Sequence, residues 1–383
     1  MAGPVTVVWD EALAAYDFGP EHPLRPARVQ LTMALARSCG LLEQVRVAGP
    51  AAVSGTDLTR VHELDYLAAV KAAARGQADP RYGFGPGDNP PFPGMHEAAM
   101  RVCGATVGAA EAIRSGAALH AFSPAGGLHH AMPDQASGFC VYNDPAVAIA
   151  WLLDQGVERI AYLDVDVHHG DGVEAIFAGE PRVLTVSLHE SGRYLFPGTG
   201  FAHEVGEGPA RGTIANLPLP PSTTDDLYLA AFDALVPALV RAFQPELLVT
   251  QLGCDTHYSD PLAHLGLTVS AYRQLAGRFH DLAHTVTGGR WLATGGGGYQ
   301  WAAVVPRAWC TYLAEMVGAE LPTQLPEAYL DEAADRFGAL IGPDMADEVV
   351  ALRSEHRTRV EAELGRTIEV ARSNLFPLHG LTV

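Results

Sequence analysis

The stretch Ile160-Ala161-Tyr162-Leu163-Asp164-Val165-Asp166-Val167-His168-His169-Gly170-Asp171-Gly172 decides how the rest of the chain is read. It opens as an apolar run and closes on carboxylates, imidazoles and glycines. Read as a strand over 160–167, its side chains alternate. Asp164, Asp166 and His168 then share one face while Val165 and Val167 pack on the other. Two carboxylates and an imidazole at the end of a buried strand are costly to desolvate unless a cation joins them. The alternative is a hydrogen-bonded Asp/His cluster at a strand-to-helix turn, and the other strand ends weigh against it.

Similar apolar runs lie at 5–9, 118–122, 183–188, 247–252 and 291–294. Most are apolar on both faces, as strands covered by helices on two sides should be. Helical patterns alternate with them at 98–115, 226–243 and 270–287. Asp144-Pro145 reads as an N-cap with a first-turn proline, and Gly156 closes that helix. The alternation predicts an α/β fold, a three-layer αβα sandwich around a central, mostly parallel sheet. No Ser/Gly tract, charge block or repeat divides the 383 residues, so a single unit is expected. Its catalytic part is placed at 1–320, with a charge-rich, mostly helical extension of the same domain over 321–383. That extension reads as peripheral to the chemistry. In such sheets ligands collect beyond the carboxyl ends of the strands.

Three further strand ends therefore matter. Gly253-Cys254-Asp255 follows the run 247–252. Asp166, His168 and Asp255 together make a three-ligand set with room for water, the arrangement of a catalytic zinc site. Two carboxylates cancel the charge of the ion, so water would need a nearby base and a substrate carbonyl would need a donor. The oxygen-rich set also leaves Fe2+ open. Gly126-Gly127-Leu128-His129-His130 supplies two adjacent imidazoles, read as a proton-handling pair. Asp164 and Asp171 are carboxylates free to orient one ring each. Gly295-Gly296-Gly297-Gly298-Tyr299 lets backbone approach a ligand and presents a phenol suited to an oxyanion. It lacks the context of a phosphate cradle.

Composition narrows the function classes. Lys and Arg total 25 against 44 Asp and Glu, a formal charge of −19. That charge argues against binding nucleic acid and is compatible with a basic protein or a cationic substrate. Five scattered cysteines without CxxC spacing fit reduced thiols in a cytoplasm. The opening Met-Ala-Gly-Pro-Val lacks the regions of a signal peptide, and no apolar segment reaches spanning length. A cytoplasmic protein without a membrane partner is expected.

Together the motifs resemble the histone deacetylase family. They are His22-Pro23-Leu24-Arg25-Pro26-Ala27-Arg28, His129-His130, Ser137-Gly138-Phe139-Cys140-Val141-Tyr142-Asn143-Asp144, the 164–172 run, Phe196-Pro197-Gly198-Thr199-Gly200, the Asp255 loop and the 295–299 loop. The resemblance runs from about residue 5 to 313, and the bacterial acetoin-utilisation deacetylases look like the nearest branch. It implies the arginase–deacetylase fold and zinc-dependent hydrolysis of the acetyl amide of N-epsilon-acetyl-lysine in proteins. By that resemblance Asp166, His168 and Asp255 hold Zn2+. His130, paired with Asp171, acts as general base and then acid, while His129, paired with Asp164, assists electrostatically. Tyr299 donates to the scissile carbonyl.

The resemblance also implies a substrate path. Phe139 and Phe196 would wall a narrow tunnel with Leu262 near its mouth, and the Gly138 carbonyl would accept the substrate amide N–H. Asp88 would hold the substrate backbone at the rim, and Arg28 would sit at an internal channel for acetate. A structural K+ is implied near Asp164, Asp166, His168, Ser187 and Leu188, largely through backbone oxygens. Leu128 stands where many eukaryotic class I members have Trp, which bears on the shape of the channel. Acetylated proteins, acyl-CoA synthetases among them, are the implied partners.

Three competing functions are weighed against this one. Hydrolysis of acetylpolyamines or other small acetamides fits the same residues. Two-metal arginase chemistry would need a DxHxD run, which is absent, so one divalent ion per chain is expected. A non-catalytic acetyl-lysine reader should have lost Tyr299 or a histidine, and none is missing. Among the remaining histidines, His22, His62 and His96 read as structural and His169 as a packed neighbour of His168. His257 and His264 read as rim or surface residues. Cys140 lies near the site without an activating pattern.

Overall fold

The computed structural model describes residues 3–383. Eight parallel strands form one sheet in the order β2-β1-β3-β8-β7-β4-β5-β6. They are β1 (Val5–Val8), β2 (Arg46–Ala48), β3 (His120–Ser123), β4 (Ile160–Asp164), β5 (Val183–Glu190), β6 (Ile214–Leu219), β7 (Leu247–Gln251) and β8 (Trp291–Thr294). Between and after them run α1 (Ala27–Ser38), α2 (Gly55–Leu58), α3 (Leu64–Ala73), α4 (Met95–Arg114), α5 (Asp144–Asp154), α6 (Asp171–Phe177), α7 (Asp225–Phe243), α8 (Val269–Val286), α9 (Val305–Val317), α10 (Glu327–Phe337) and α11 (Ser354–Leu375). Helices cover both faces, which is why all but the β2 edge is buried and reads as apolar runs. The result is the three-layer αβα sandwich expected from the sequence. Among the described residues no helix is long and apolar enough to cross a membrane.

The register aligns the strand ends. Ser123, Thr294, Gln251, Asp164 and Ser187 form one buried polar row across β3, β8, β7, β4 and β5. That row marks where the apolar core stops. Beyond it, β3, β8, β7 and β4 each release a loop on the same side.

Several sequence expectations need correction. The strand read over 160–167 stops at Asp164, so its alternation does not carry Asp166 and His168 onto a shared strand face. The carboxylates themselves end the ladder. Asp164 Oδ1 accepts from the Asp166 N–H at 3.1 Å, and Asp166 Oδ1 accepts from the His168 N–H at 3.0 Å. Such side-chain acceptors two residues back replace sheet pairing with consecutive turns. Helix α5 is capped by Asn143, whose side chain accepts from the Ala146 N–H at 3.0 Å, rather than by Asp144. Asp144 is the first helical residue and faces another loop.

Strands β2 and β6 escaped the sequence reading for different reasons. The first has only three residues and an exposed edge. The second contains Asn216 and Pro218, and proline is tolerated because β6 is an edge strand. Helix α11 packs against that edge and α7. The segment between α10 and α11 is not helical. It carries Asp347, which accepts from the Val269 N–H at 3.0 Å, faces His257 Nε2 at 3.1 Å and pairs with Arg307 at 2.9 Å.

Candidate active site

Four loops from neighbouring strands meet beyond the polar row. From β4 come Asp166 and His168, and from β7 comes Asp255. One ligand atom from each lies within 4.8 Å of the others, and all three residues are buried. His168 Nδ1 faces Asp166 Oδ1 at 3.1 Å and Asp255 Oδ2 at 3.2 Å. Burial alone would lower the His168 pKa, but the hydrogen bonds to both carboxylates outweigh it and raise the ring to about 10. Burial and the Asp166 carboxylate push Asp255 upward. Two adjacent buried carboxylates thus draw positive charge toward themselves.

Other contacts orient the two carboxylates. Asp166 Oδ2 accepts from Gln251 Nε2 and from the Gly297 N–H, both at 2.7 Å. Asp255 Oδ1 accepts from the Val167 N–H at 2.8 Å. Two glycines make the fit possible. A Cβ on Gly297 would lie 2.0 Å from Asp255 Oδ2, and one on Gly253 would lie 2.2 Å from Asp166 Oδ2. The donor set, its burial and this glycine cradle fit a divalent ion bound by two carboxylates and one imidazole.

The loop after β3 delivers His129 and His130. Asp144 holds it by accepting from the Gly127 and Leu128 N–H groups, the latter at 2.8 Å. Asn143 Nδ2 donates to the His129 and Ala131 carbonyls at 3.0 Å. The expected pairings are present: His129 Nδ1 to Asp164 Oδ2 at 2.7 Å, and His130 Nδ1 to Asp171 Oδ1 at 2.6 Å. The two Nε2 atoms face each other at 3.0 Å. Two neutral rings donating from Nδ1 would set lone pair against lone pair there, so the arrangement favours one extra proton shared by the pair.

Charge differences decide where it sits. Burial opposes charging His129, but Asp164 and Asp166 outweigh it and raise the ring to about 9. Burial, together with the charge on His129, lowers His130 to about 4. Without an ion in the centre, positive charge is thus favoured on His129 over His130.

The loop after β8 carries Tyr299. Its N–H donates to Asp260 Oδ2 at 2.9 Å, and its ring meets Phe139 edge-on at 5.7 Å. Burial, with Asp255 and Asp166 nearby, holds the phenol well above its ordinary value. It stays a donor. Gly138 and Phe139 are the central residues of a tight turn in which Ser137 and Cys140 exchange backbone hydrogen bonds. Both have positive φ, +50° and +68°, which suits Gly138 and strains Phe139. Tyr16 clamps that turn, its hydroxyl donating to the Phe139 carbonyl at 2.8 Å and accepting from the Val141 N–H at 3.0 Å.

Phe196 stands on the other side, 5.1 Å from the His130 ring and 6.2 Å from His168, and is half exposed. Leu262 is also at the surface, its N–H bonded to Asp260 Oδ1 at 3.0 Å. The Asp88 side chain is exposed. Its carbonyl faces His22 Nε2 at 3.2 Å, and His22 in turn packs on Phe139. Arg28 is buried against Trp309, with its NH1 donating to the Gly296 carbonyl at 2.5 Å. It lines two adjoining cavities of about 20 Å³ each, which share Leu24, Arg28 and Leu128. One of them also reaches His130, Asp166 and Tyr299. Ser187 and Leu188 lie on β5 beside Asp164.

Other histidines are sorted by their partners. His62 bonds the Met132 carbonyl and the Asn143 N–H, and His96 bonds the Tyr142 hydroxyl. His169 points away from the triad to Thr199 and Glu174, both at 2.9 Å. His257 is buried against Asp347, whereas His264 is exposed beside Glu190. Sequence reading missed Gln251, Asp260 and Tyr16. Gln251 left one signal, an amide inside an apolar strand run, whereas Asp260 and Tyr16 act on partners remote in the chain.

Comparison with known proteins places this geometry in context. The family model described as the histone deacetylase domain matches residues 22–316. The acetoin utilization protein AcuC of Bacillus subtilis (strain 168) is 42% identical over 327 residues, 84% of each chain. The AcuC of Staphylococcus xylosus is 35% identical, covering 84% of this chain and 85% of its own. A crystal structure of an HDAC homolog from Aquifex aeolicus superimposes with a TM-score of 0.82 at 29% identity, covering 96% of this chain and all of that one.

Proposed function

The chain belongs to the histone deacetylase family, and from that membership we propose that it hydrolyses the acetyl amide of N-epsilon-acetyl-lysine in proteins, releasing lysine and acetate. The main support is one convergence: Asp166 of the metal-competent triad, the His129–His130 pair and the Tyr299 phenol line the same small cavity. Asp166, His168 and Asp255 would hold Zn2+, with Fe2+ the alternative, and the ion when bound would polarise the amide carbonyl and acidify water.

The residues of the chain do the rest. His130 takes a proton from the attacking water at Nε2 once that water replaces His129 as the partner of this nitrogen, while Asp171 fixes the opposite nitrogen as donor. It then returns that proton to the departing lysine nitrogen. His129, cationic between Asp164 and His130, offsets negative charge as it builds. The Tyr299 hydroxyl donates to the carbonyl oxygen as that charge develops. Phe139 and Phe196 flank the aliphatic stem of the substrate and limit water, and Leu262 borders the mouth. The Gly138 carbonyl accepts the substrate amide N–H, and Asp88 engages the substrate backbone. Arg28 attracts departing acetate into the inner cavities. A K+ ion beside Asp164, Asp166, His168, Ser187 and Leu188 would be structural.

The setting is proposed to be the cytoplasm, where the five free cysteines stay reduced. Acetylated acyl-CoA synthetases are candidate substrates by the family resemblance, and the AcuC relatives are named for acetoin utilization. The −19 charge also suits cationic acetylpolyamines, and the ratio of kcat/KM values for an acetyl-lysine peptide and acetylputrescine separates the two. The peptide is expected to be preferred. Acetate release that persists undiminished in chelator would refute the metal-dependent reading.

A further inference from the structure

Three histidines outside the catalytic centre converge at the opposite edge of the sheet. His120 is the first residue of β3 and pairs in register with Trp291, whereas the His129-His130 loop follows the other end of the same strand. His280 and His284 stand four residues apart on α8, one turn apart on one face. One nitrogen from each of the three rings lies within 4.8 Å of the others. Ring centroids are separated by 5.0 Å (His120–His280), 5.2 Å (His120–His284) and 4.7 Å (His280–His284). Tetrahedral Zn–N bonds set ligand nitrogens roughly 3.3 Å apart. Small side-chain rotations close that gap, and the exposed His284 is free to make them.

Two observations independent of this clustering point to a ligand. Among the described residues, His120 is fully buried, yet neither Nδ1 nor Nε2 has a hydrogen-bond partner. Buried imidazoles ordinarily satisfy at least one nitrogen. His280 Nδ1 lies 2.8 Å from Glu315 Oε1 on α9, while its Nε2 is buried and unpartnered. With the Nδ1–H donated to Glu315, the Nε2 lone pair is left for another partner. A carboxylate behind an imidazole is how metal-ligating histidines are oriented.

We propose that His120, His280 and His284 form a transition-metal site, with Glu315 as its positioning residue. An all-imidazole set selects Zn2+, Ni2+ or Cu2+ over Mg2+ and Ca2+, which take oxygen ligands. The ion ties the end of α8 to β3 and keeps a fourth position open to water beside His284. The divalent count expected from the sequence rises from one to two, in separate sites. This site does not depend on the catalytic reading.

Zn2+ titration of tag-free, chelator-stripped protein tests it, with bound metal counted after desalting. Wild type is expected to retain two equivalents, and Asp166→Ala one. His284→Ala is also expected to retain one, with deacetylase activity intact. Glu315→Gln should weaken the second equivalent by about 10- to 100-fold. Zn2+ should raise the Tm of Asp166→Ala but not of the Asp166→Ala/His284→Ala double variant. His280→Gln provides a second deletion of the same site. Equal Zn2+ content in wild type, His284→Ala and His280→Gln would overturn the proposal.

Discussion

The two edges of the sheet treat histidine in opposite ways. At the carboxyl edge every imidazole of the centre has a carboxylate partner, and the carboxylates are in turn bonded by Gln251 and by the Val167 and Gly297 N–H groups. At the amino edge His120 and His280 keep buried nitrogens without partners. The first site is fixed in advance by loops that are individually irregular. The second rests on a rigid strand and helix and leaves one exposed ring adjustable. The contrast separates preorganisation for chemistry from capacity for ligation, and substitutions at each edge should show it.

The largest effect is expected at the metal triad. Asp166→Ala removes a proposed metal ligand and unbinds Gln251 and Gly297, and kcat/KM should fall by roughly 10³-fold or more. His130→Ala deletes the proposed proton acceptor and should lower kcat by about 10²- to 10⁴-fold. Tyr299→Phe should cost about 10²- to 10³-fold in kcat with less change in KM. Steady-state kinetics on an acetyl-lysine peptide check all three. His284→Ala, at the other edge, should leave these parameters within about twofold, since surface substitutions away from a site are nearly neutral. A large loss there would erase the contrast.

A smaller effect concerns how the carboxyl edge is braced from outside. Burial would raise the pKa of Asp347, but the His257 hydrogen bond, the Val269 N–H and Arg307 pull it well below its ordinary value. A carboxyl group depressed in the folded state contributes stability above its unfolded pKa of about 3.9 and loses it as pH falls. Asp347→Asn should therefore destabilise the protein by about 2 kcal/mol near pH 7 and by less near pH 3. Denaturant midpoints at the two pH values report the difference.

The ends of the strands could be read in the sequence because carboxylates and imidazoles stand out after apolar runs. That legibility extended to Asp166, His168, Asp255, His129, His130 and Tyr299, which the fold gathers. The turn geometry could not be read, since Asp164 and Asp166 capture backbone N–H groups and end a strand that alternation would continue. Partners across the chain were equally hidden. Nothing local in Asp260-Pro261 announces the Tyr299 N–H, nothing in the C-terminal extension announces that Asp347 reaches His257, and Tyr16 lies 123 residues from the carbonyl it holds. His280 and His284 show their helical spacing in the sequence, but only the sheet brings His120 to them.

The central claim is that the carboxyl-edge centre performs amide hydrolysis through its metal triad and histidine pair. Acetate released from an acetyl-lysine peptide, measured side by side for Zn2+-loaded wild type and Asp166→Ala with matched circular dichroism, tests it most directly. The account predicts sustained turnover by wild type and a loss of about 10³-fold in the variant. Comparable turnover by the two proteins would contradict it.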